Sequence, residues 1–284
     1  MLASTGGRVR PRFASALGPG KARIRLIVRL HNAEALLLDV RDLHDRDRIV
    51  VFLTRERGKK SGVAQGSRAR HSRFAGQLQP LAKAQVTWYE KEGRELVRIT
   101  AVELLRPAHR LQADLEGILL GSYLADHMLE FAQEEESSEL LFRLLDSTLE
   151  ALLEGADRDV AARYFECWML RLAGIFPAPD ACPQCGRALA GGAVLPPHGE
   201  TLLCASCADG GGGAGGRGLG LAITAGTLAF LRRIGRWSLP QASQAAPAAA
   251  TLREVEELCA RVRRHFLQRE LRSYEVIQQT RATL

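Results

Sequence analysis

The chain has 284 residues, 46% of them hydrophobic, and a formal net charge of +7. That length exceeds one ordinary domain, and the apolar fraction excludes wholesale disorder. No run approaches the roughly 18 charge-poor apolar residues of a membrane span, and Arg23, Arg25 and Arg29 break the one apolar stretch near the start, so neither a span nor a secretory signal is expected. The charge is unevenly spread: residues 1–110 carry net +13, residues 111–180 net −11 and residues 181–284 net +5. Such blocks read as modules with different partners, the basic one facing an anion.

Residues 1–33 show no periodic pattern and are read as a disordered arm or start-site extension. From Ala35 the pattern is β. Residues 35–40 and 49–54 are short apolar runs of strand formers around a polar turn, followed by strands over 60–65, 84–89 and 95–104, the last two joined by a Gly93 turn. Five short strands over residues 34–107 suggest a small barrel. The five-stranded OB-fold is the economical choice, and an SH3-like barrel satisfies the same pattern.

After Pro107 the period becomes helical. One helix carries Leu111, Leu115, Ile118, Leu119, Leu124, Met128 and Leu129; a second spans 140–153 and closes at Gly155; a third starts at Asp157 and runs to Phe176, before Pro177. Its stripe Tyr164, Phe165, Trp168 and Leu172 is expected in the core. Residues 210–220 read as a glycine-rich connector and 238–250 as an Ala/Pro/Gln-rich loop. Between them Thr224 caps a helix over 225–237. Thr251-Leu252-Arg253-Glu254 fits a capping box opening a last long helix through Val255, Leu258, Val262 and Phe266. The organisation expected is therefore a barrel over 34–107, a first helical part over 108–180, a ribbon over 181–209 and a connector with a second helical part over 210–284.

Two constellations carry chemistry. Cys182-Pro183-Gln184-Cys185 and Cys204-Ala205-Ser206-Cys207 make C-x2-C-x18-C-x2-C, the spacing of a structural zinc ribbon. Four thiolates close the tetrahedral shell of one zinc ion and leave no position for an activated water, which argues against zinc catalysis. His198 inside the loop is read as a non-ligand, and Cys167 and Cys259, on apolar helix faces, as core. The second constellation is Arg55, Arg57, Lys59, Lys60, Arg68, Arg70 and Arg73, with Glu56 the only acid among them. Cations held on a barrel face track a phosphate backbone without reading sequence. Barrel aromatics are few (Phe52, Phe74, Trp88, Tyr89), so phosphate contacts are expected to outweigh base stacking. Three other motifs fail. Leu53 replaces the first glycine of a phosphate loop before Gly58-Lys59-Lys60-Ser61, and the G-x-G-x-x-G of residues 213–218 follows a cysteine turn rather than a strand. The histidines and the run Glu134-Glu135-Glu136 have no spacing for a triad or a carboxylate dyad, so no enzymatic activity is expected.

These segments together resemble the RecO family of recombination mediators. Thr54-Arg55-Glu56-Arg57-Gly58-Lys59, Gly66-Ser67-Arg68 and Ser72-Arg73-Phe74-Ala75-Gly76-Gln77-Leu78-Gln79-Pro80-Leu81 are similar to its barrel signature. The run from Phe165 to Gly186 resembles its helix-to-zinc junction, and Phe266-Leu267-Gln268-Arg269-Glu270-Leu271-Arg272-Ser273 its closing helix. The resemblance implies an α+β multidomain chain: an N-terminal OB-fold, then an all-helical domain with an embedded zinc ribbon. It further implies binding of single-stranded and duplex DNA, strand annealing, and help in loading recombinase onto strands coated by single-strand binding protein. The implied partners are RecR and the acidic tail of that binding protein, in a bacterial, cytoplasmic, nucleoid-associated setting without membrane or small-molecule substrate. Two rival readings remain: a zinc-ribbon and OB-fold RNA-binding transcription or translation factor, and an enzyme using cysteine or zinc chemistry.

Overall fold

The computed structural model describes residues 28–134, 136–197, 199–210 and 220–283. Residues 1–27, His198, Glu135 of the acidic run and most of the glycine-rich connector, with its 213–218 match, lie outside the described residues.

Strands β1 (Val28–Leu43), β2 (Asp47–Thr54), β3 (Gly58–Ala64), β4 (Lys83–Lys91) and β5 (Leu96–Arg106) close into a barrel in the order β1-β2-β3-β5-β4. All neighbours are antiparallel except β3 and β5. This connectivity is that of the OB-fold and settles the choice the strand pattern left open. The long β1 serves two partners: residues 35–43 pair with β2 and residues 28–36 with β4, with a register shift between Leu37 and Asp39. Residues 28–33, given no fold from sequence, are therefore strand. Arg29, His31 and Asn32 hide the apolar pattern there, and pairing with β4 supplies the order that local propensity does not.

Alternation places Ala35, Leu37, Val50, Phe52, Val86, Trp88, Val97 and Ile99 inside the barrel, where Phe52 and Trp88 meet edge-on at 5.3 Å. Phe74 and Leu78, from the β3–β4 connection, join the same core. The other face of β1 and β2 is apolar too. Leu36, Leu38, Val51 and Leu53 are buried against Leu120, Leu124, Met128 and Phe142 of the helices, so one hydrophobic core runs through barrel and helical region.

Helices α1 (Leu115–Phe131), α2 (Glu139–Leu153) and α3 (Arg158–Leu172) follow. Asp114 and Asp157 cap α1 and α3 by accepting from the N–H groups of Gly117 and Val160. Phe165 is fully buried, with Tyr164, Trp168 and Leu172 packed beside it. Helix α3 stops short of the expected Phe176. Gly174, at φ 73°, turns the chain, and the N–H of Ile175 bonds back to Leu170 O.

The ribbon contributes β6 (Ala193–Leu195), α4 (Ala205–Gly210) and β7 (Leu221–Ile223). Then come α5 (Ala225–Ile234), α6 (Leu239–Gln244), α7 (Ala249–Leu267) and α8 (Arg272–Thr283). Thr224 caps α5 as expected. Three readings need correction. Residues 238–250 hold a helix, α6, with a capping box between Ser238 and Gln241. Helix α7 starts before the expected box, and Glu254 instead accepts from the N–H and hydroxyl of Thr224 at the head of α5. Gln268, at φ 57°, ends α7 inside the segment read as one closing helix.

Where α1, α3, α7 and α8 meet, charged groups are sealed in. Arg163 lies 2.8 Å from Glu166 and 2.5 Å from Glu256, and Arg263 donates to Tyr123 Oη and Glu270. Burial pushes the imidazole of His127, edge-on to Tyr123, down to about 3. Among the described residues no helix is long and apolar enough to cross a membrane.

Candidate metal centre and nucleic-acid interface

The cysteine centre is built from two tight turns. In the first, Gly186 adopts φ 70° and its N–H bonds to Cys182 O at 2.8 Å, turning the chain under Cys182 and Cys185. In the second, the N–H groups of Cys207 and Ala208 both reach Cys204 O at 3.0 Å as α4 begins. Val194 and Leu203 exchange backbone hydrogen bonds and tie this turn to the β6–β7 hairpin. The sulfurs of Cys182, Cys185, Cys204 and Cys207 all lie within 4.8 Å of one another. Cys185 and Cys204 are 3.7 Å apart, which matches the edge of about 3.8 Å in a tetrahedron with Zn–S near 2.3 Å.

Backbone N–H groups, that of Cys204 foremost, hold the Cys182 thiol down to about 6, whereas the sulfurs of Cys204 and Cys185 push Cys207 up to about 12. Four thiols so close cannot all ionise without a dication among them, so the donor set fits zinc. Cys167 and Cys259 are fully buried in the core between α3, α5 and α7, apart from this cluster.

The seven barrel cations do not form one surface. Arg57 lies in the β2–β3 turn, while Arg68, Arg70 and Arg73 lie in the β3–β4 connection, at the opposite end of β2. Eight strand residues separate these ends by about 25 Å. Three of the seven, Arg55, Lys59 and Lys60, are engaged where the barrel meets the helices or inside the barrel mouth. Lys60 points inward, 4% exposed, with Nζ 3.0 Å from Glu90, which also lies 3.1 Å from His31. Lys59 Nζ donates to Leu129 O, placing a cation at the end of α1, whose last turn has no basic residue of its own. Arg55 pairs with Glu139 at 3.1 Å and lies over the Phe142 ring at 4.5 Å.

Between these residues the backbone makes a clasp. Lys59 N–H bonds to Gln133 O, and Ser138 N–H to Arg55 O. Gly58, at φ 62°, packs so closely that a Cβ would stand 2.3 Å from Glu136 O and 2.5 Å from Gln133 O. Asp146 of α2 accepts from both Lys83 and Arg106 of the barrel. The +13 and −11 blocks are thus in part each other's partners, where their charge alone suggested separate ones. Asp146 drew no notice in the sequence, and the only signal for it was the acidity of its block.

The remaining four differ. Arg68 is bound to His44 O and lies 3.5 Å from Asp42. Arg73 lies over Phe74 at 4.9 Å. Arg57, Arg70 and Arg73 are exposed, with no ion-pair partner among the described residues. Desolvation and then the nearby Arg57 lower the pKa of His31, a sign of positive potential at the Arg57 end.

Comparison with known proteins adds independent findings. The family model for the recombination protein O N-terminal region matches residues 28–108, and that for its C-terminal region matches residues 112–275. A DNA repair protein RecO from Anaeromyxobacter sp. (strain K) is 37% identical over 231 residues, covering 81% of this chain and 89% of the relative. Proteins of the same name from Koribacter versatilis and Pelotomaculum thermopropionicum are 30% identical over 177 residues and 28% identical over 247. The first of these alignments covers 62% of this chain and 72% of the relative, the second 87% and 93%.

Proposed function

The chain belongs to the recombination protein O family, and on that premise we propose that it is a non-enzymatic mediator of DNA repair acting on single-stranded and duplex DNA. In this reading it anneals complementary strands and, with RecR, helps load recombinase onto strands coated by single-strand binding protein, whose acidic tail docks on the helical region. It works in the cytoplasm, associated with the nucleoid. The observation that carries the DNA-binding part is the set of exposed cations at both ends of an OB-fold barrel with no ion-pair partner among the described residues, Arg57 at one end and Arg70 and Arg73 at the other. Such groups neutralise phosphates and release counterions without reading base sequence. Arg68 joins them as an exposed guanidinium that donates to His44 O and lies 3.5 Å from Asp42. Arg55, Lys59 and Lys60 take the structural share, holding barrel to helices and closing the barrel end.

Cys182, Cys185, Cys204 and Cys207 would hold one zinc ion. When bound it supplies fold stabilisation, and a shell filled by four thiolates offers no site for a substrate. The Cys182→Ser chain should lose the metal and melt at a lower temperature, whereas Cys167→Ala should keep it. Absence of metal from freshly purified reduced protein would overturn this part.

The decisive functional test is annealing of complementary strands coated with the cognate single-strand binding protein. Acceleration by the full chain is expected, and none would overturn the mediator role. Binding to single-stranded DNA that persists undiminished at high salt would overturn the phosphate-based mode.

A further inference from the structure

The outer wall of the barrel near Val28 has a composition that folding does not explain. Strand register sets Leu30 beside Tyr89 and Tyr89 beside Arg98, a row across β1, β4 and β5. One step along the same face, Val28 is paired with Lys91. Leu30 is 58% exposed, Val28 54%, Leu96 43% and Tyr89 42%. Of the four barrel aromatics, Phe52, Phe74 and Trp88 are sealed inside, and Tyr89 alone faces water. Neither Tyr89 nor Arg98 has a side-chain partner among the described residues. Contiguous exposed apolar groups mark an interaction surface, and here cations flank them. Arg57 and Arg29 both act on the field at His31, against Glu90, in the neighbouring groove, whose lining includes Leu30, Arg55 and Arg57 together with the acids Glu34 and Glu56. Glu90, between Tyr89 and Lys91 in the chain, is taken up by Lys60 and His31, and Glu92 and Glu95 stand in the β4–β5 turn at the end of the patch.

We propose that this face of β1, β4 and β5 is a nucleobase-stacking surface for single-stranded nucleic acid, with Tyr89 and Leu30 receiving bases while Lys91 and Arg98 hold the adjoining phosphates. It rests on the DNA-binding reading above and refines it, because cations alone would hold a duplex and a single strand by the same phosphates. An aromatic ring flanked by an aliphatic side chain rewards unpaired bases, whose faces a duplex keeps stacked. The alternative occupants are a second copy of the chain and its own residues 1–27.

The test compares a homopyrimidine strand with an abasic strand of equal length, which keeps the phosphates and lacks the bases. In the full chain, Tyr89→Ala should weaken binding to the homopyrimidine strand by about five- to a hundredfold, leave the abasic strand unchanged, and preserve the melting temperature. Tyr89→Trp should restore the affinity. Arg98→Ala should flatten the salt dependence on both strands by about 0.7 in log–log slope. If the unmodified chain binds neither strand, the DNA-binding reading falls and takes this proposal with it. Equal binding of both strands by the unmodified chain, or an equal loss on both in Tyr89→Ala, would overturn the stacking surface and leave DNA binding standing. Unchanged affinity accompanied by loss of self-association in Tyr89→Ala would assign the face to a second copy. Unchanged affinity, with Tyr89 labelled by a tyrosine reagent only after residues 1–27 are removed, would assign it to that segment.

Discussion

Lys60 and Arg70 belong to one basic run and have opposite surroundings. Lys60 is 4% exposed and lies 3.0 Å from Glu90 inside the barrel mouth, whereas Arg70 is exposed with no ion-pair partner among the described residues. Parity along β3 makes the difference. Gly58, Lys60 and Gly62 alternate inward on a strand of period two, and Arg70 lies past the strand on a connection that obeys no such rule. Strand parity thus accounts for the burial of Lys60, whereas Lys59 on the outward parity and Arg55 in the turn are engaged by the helices, and the density of the run says nothing about which cations are left open.

The sharpest test of that division is Gly58→Ala. It puts a Cβ within 2.5 Å of two carbonyl oxygens at φ 62°, and strain plus overpacking should cost about 2–4 kcal/mol. Urea unfolding of the full chain measures it, and a loss below about 0.5 kcal/mol would mean the clasp does not hold. Lys60→Ala comes next, at about 1–3 kcal/mol, toward the low end because Glu90 keeps some solvent and a second neighbour in His31. Its DNA salt dependence should match that of the unmodified chain; a slope flattened by 0.7 or more would return Lys60 to the phosphate-facing group.

Acid should act on the sealed groups and spare the open ones. His127 titrates near 3 when folded and near 6.5 when unfolded, so the unfolded chain takes up a proton the folded one refuses. Stability contributed by the neutral ring is present above pH 6.5 and is lost as pH falls, by about 1 kcal/mol between pH 6.5 and 5.5. Burial raises Glu166 and works in the opposite sense closer to pH 4.5, which confines the test to the upper window. The same pH trend in His127→Gln would remove that histidine as its source. The smallest stability effect belongs to the open group. Arg70→Ala combined with Arg73→Ala should change unfolding by no more than about 0.5 kcal/mol, yet flatten the salt dependence of single-strand binding by about 1.4. An unchanged slope would reduce both arginines to solvated surface charge.

Signals that depend on near neighbours were legible in the sequence; those that depend on distant ones were not. The five strands, the Asp157 and Thr224 caps and the paired C-x2-C turns are each specified within a few residues. Strand 28–33 was hidden because its order comes from β4, distant in sequence. Helix α6 was hidden by its Ala, Pro and Gln composition, although Ser238 and Gln241 formed a readable capping box. Glu254 fitted a local box and was recruited by Thr224 on another helix. In the same way, the fates of Arg55, Lys59 and Lys60 were decided by Glu139, Leu129 and Glu90, none of them near in the chain.

The core shared by barrel and helices has a consequence for how the molecule is made. Translation delivers β1 and β2 before α1, so Leu36, Leu38, Val51 and Leu53 have no cover until the helices emerge. Until then the nascent barrel presents an apolar wall on its outside as well as its inside, an open invitation to chaperones and to aggregation. A barrel truncated at residue 107 keeps that wall permanently bare, and one begun at residue 34 also lacks the part of β1 that pairs with Val86–Lys91. Barrel and helical region should accordingly melt in a single transition, as one cooperative unit rather than as beads on a tether.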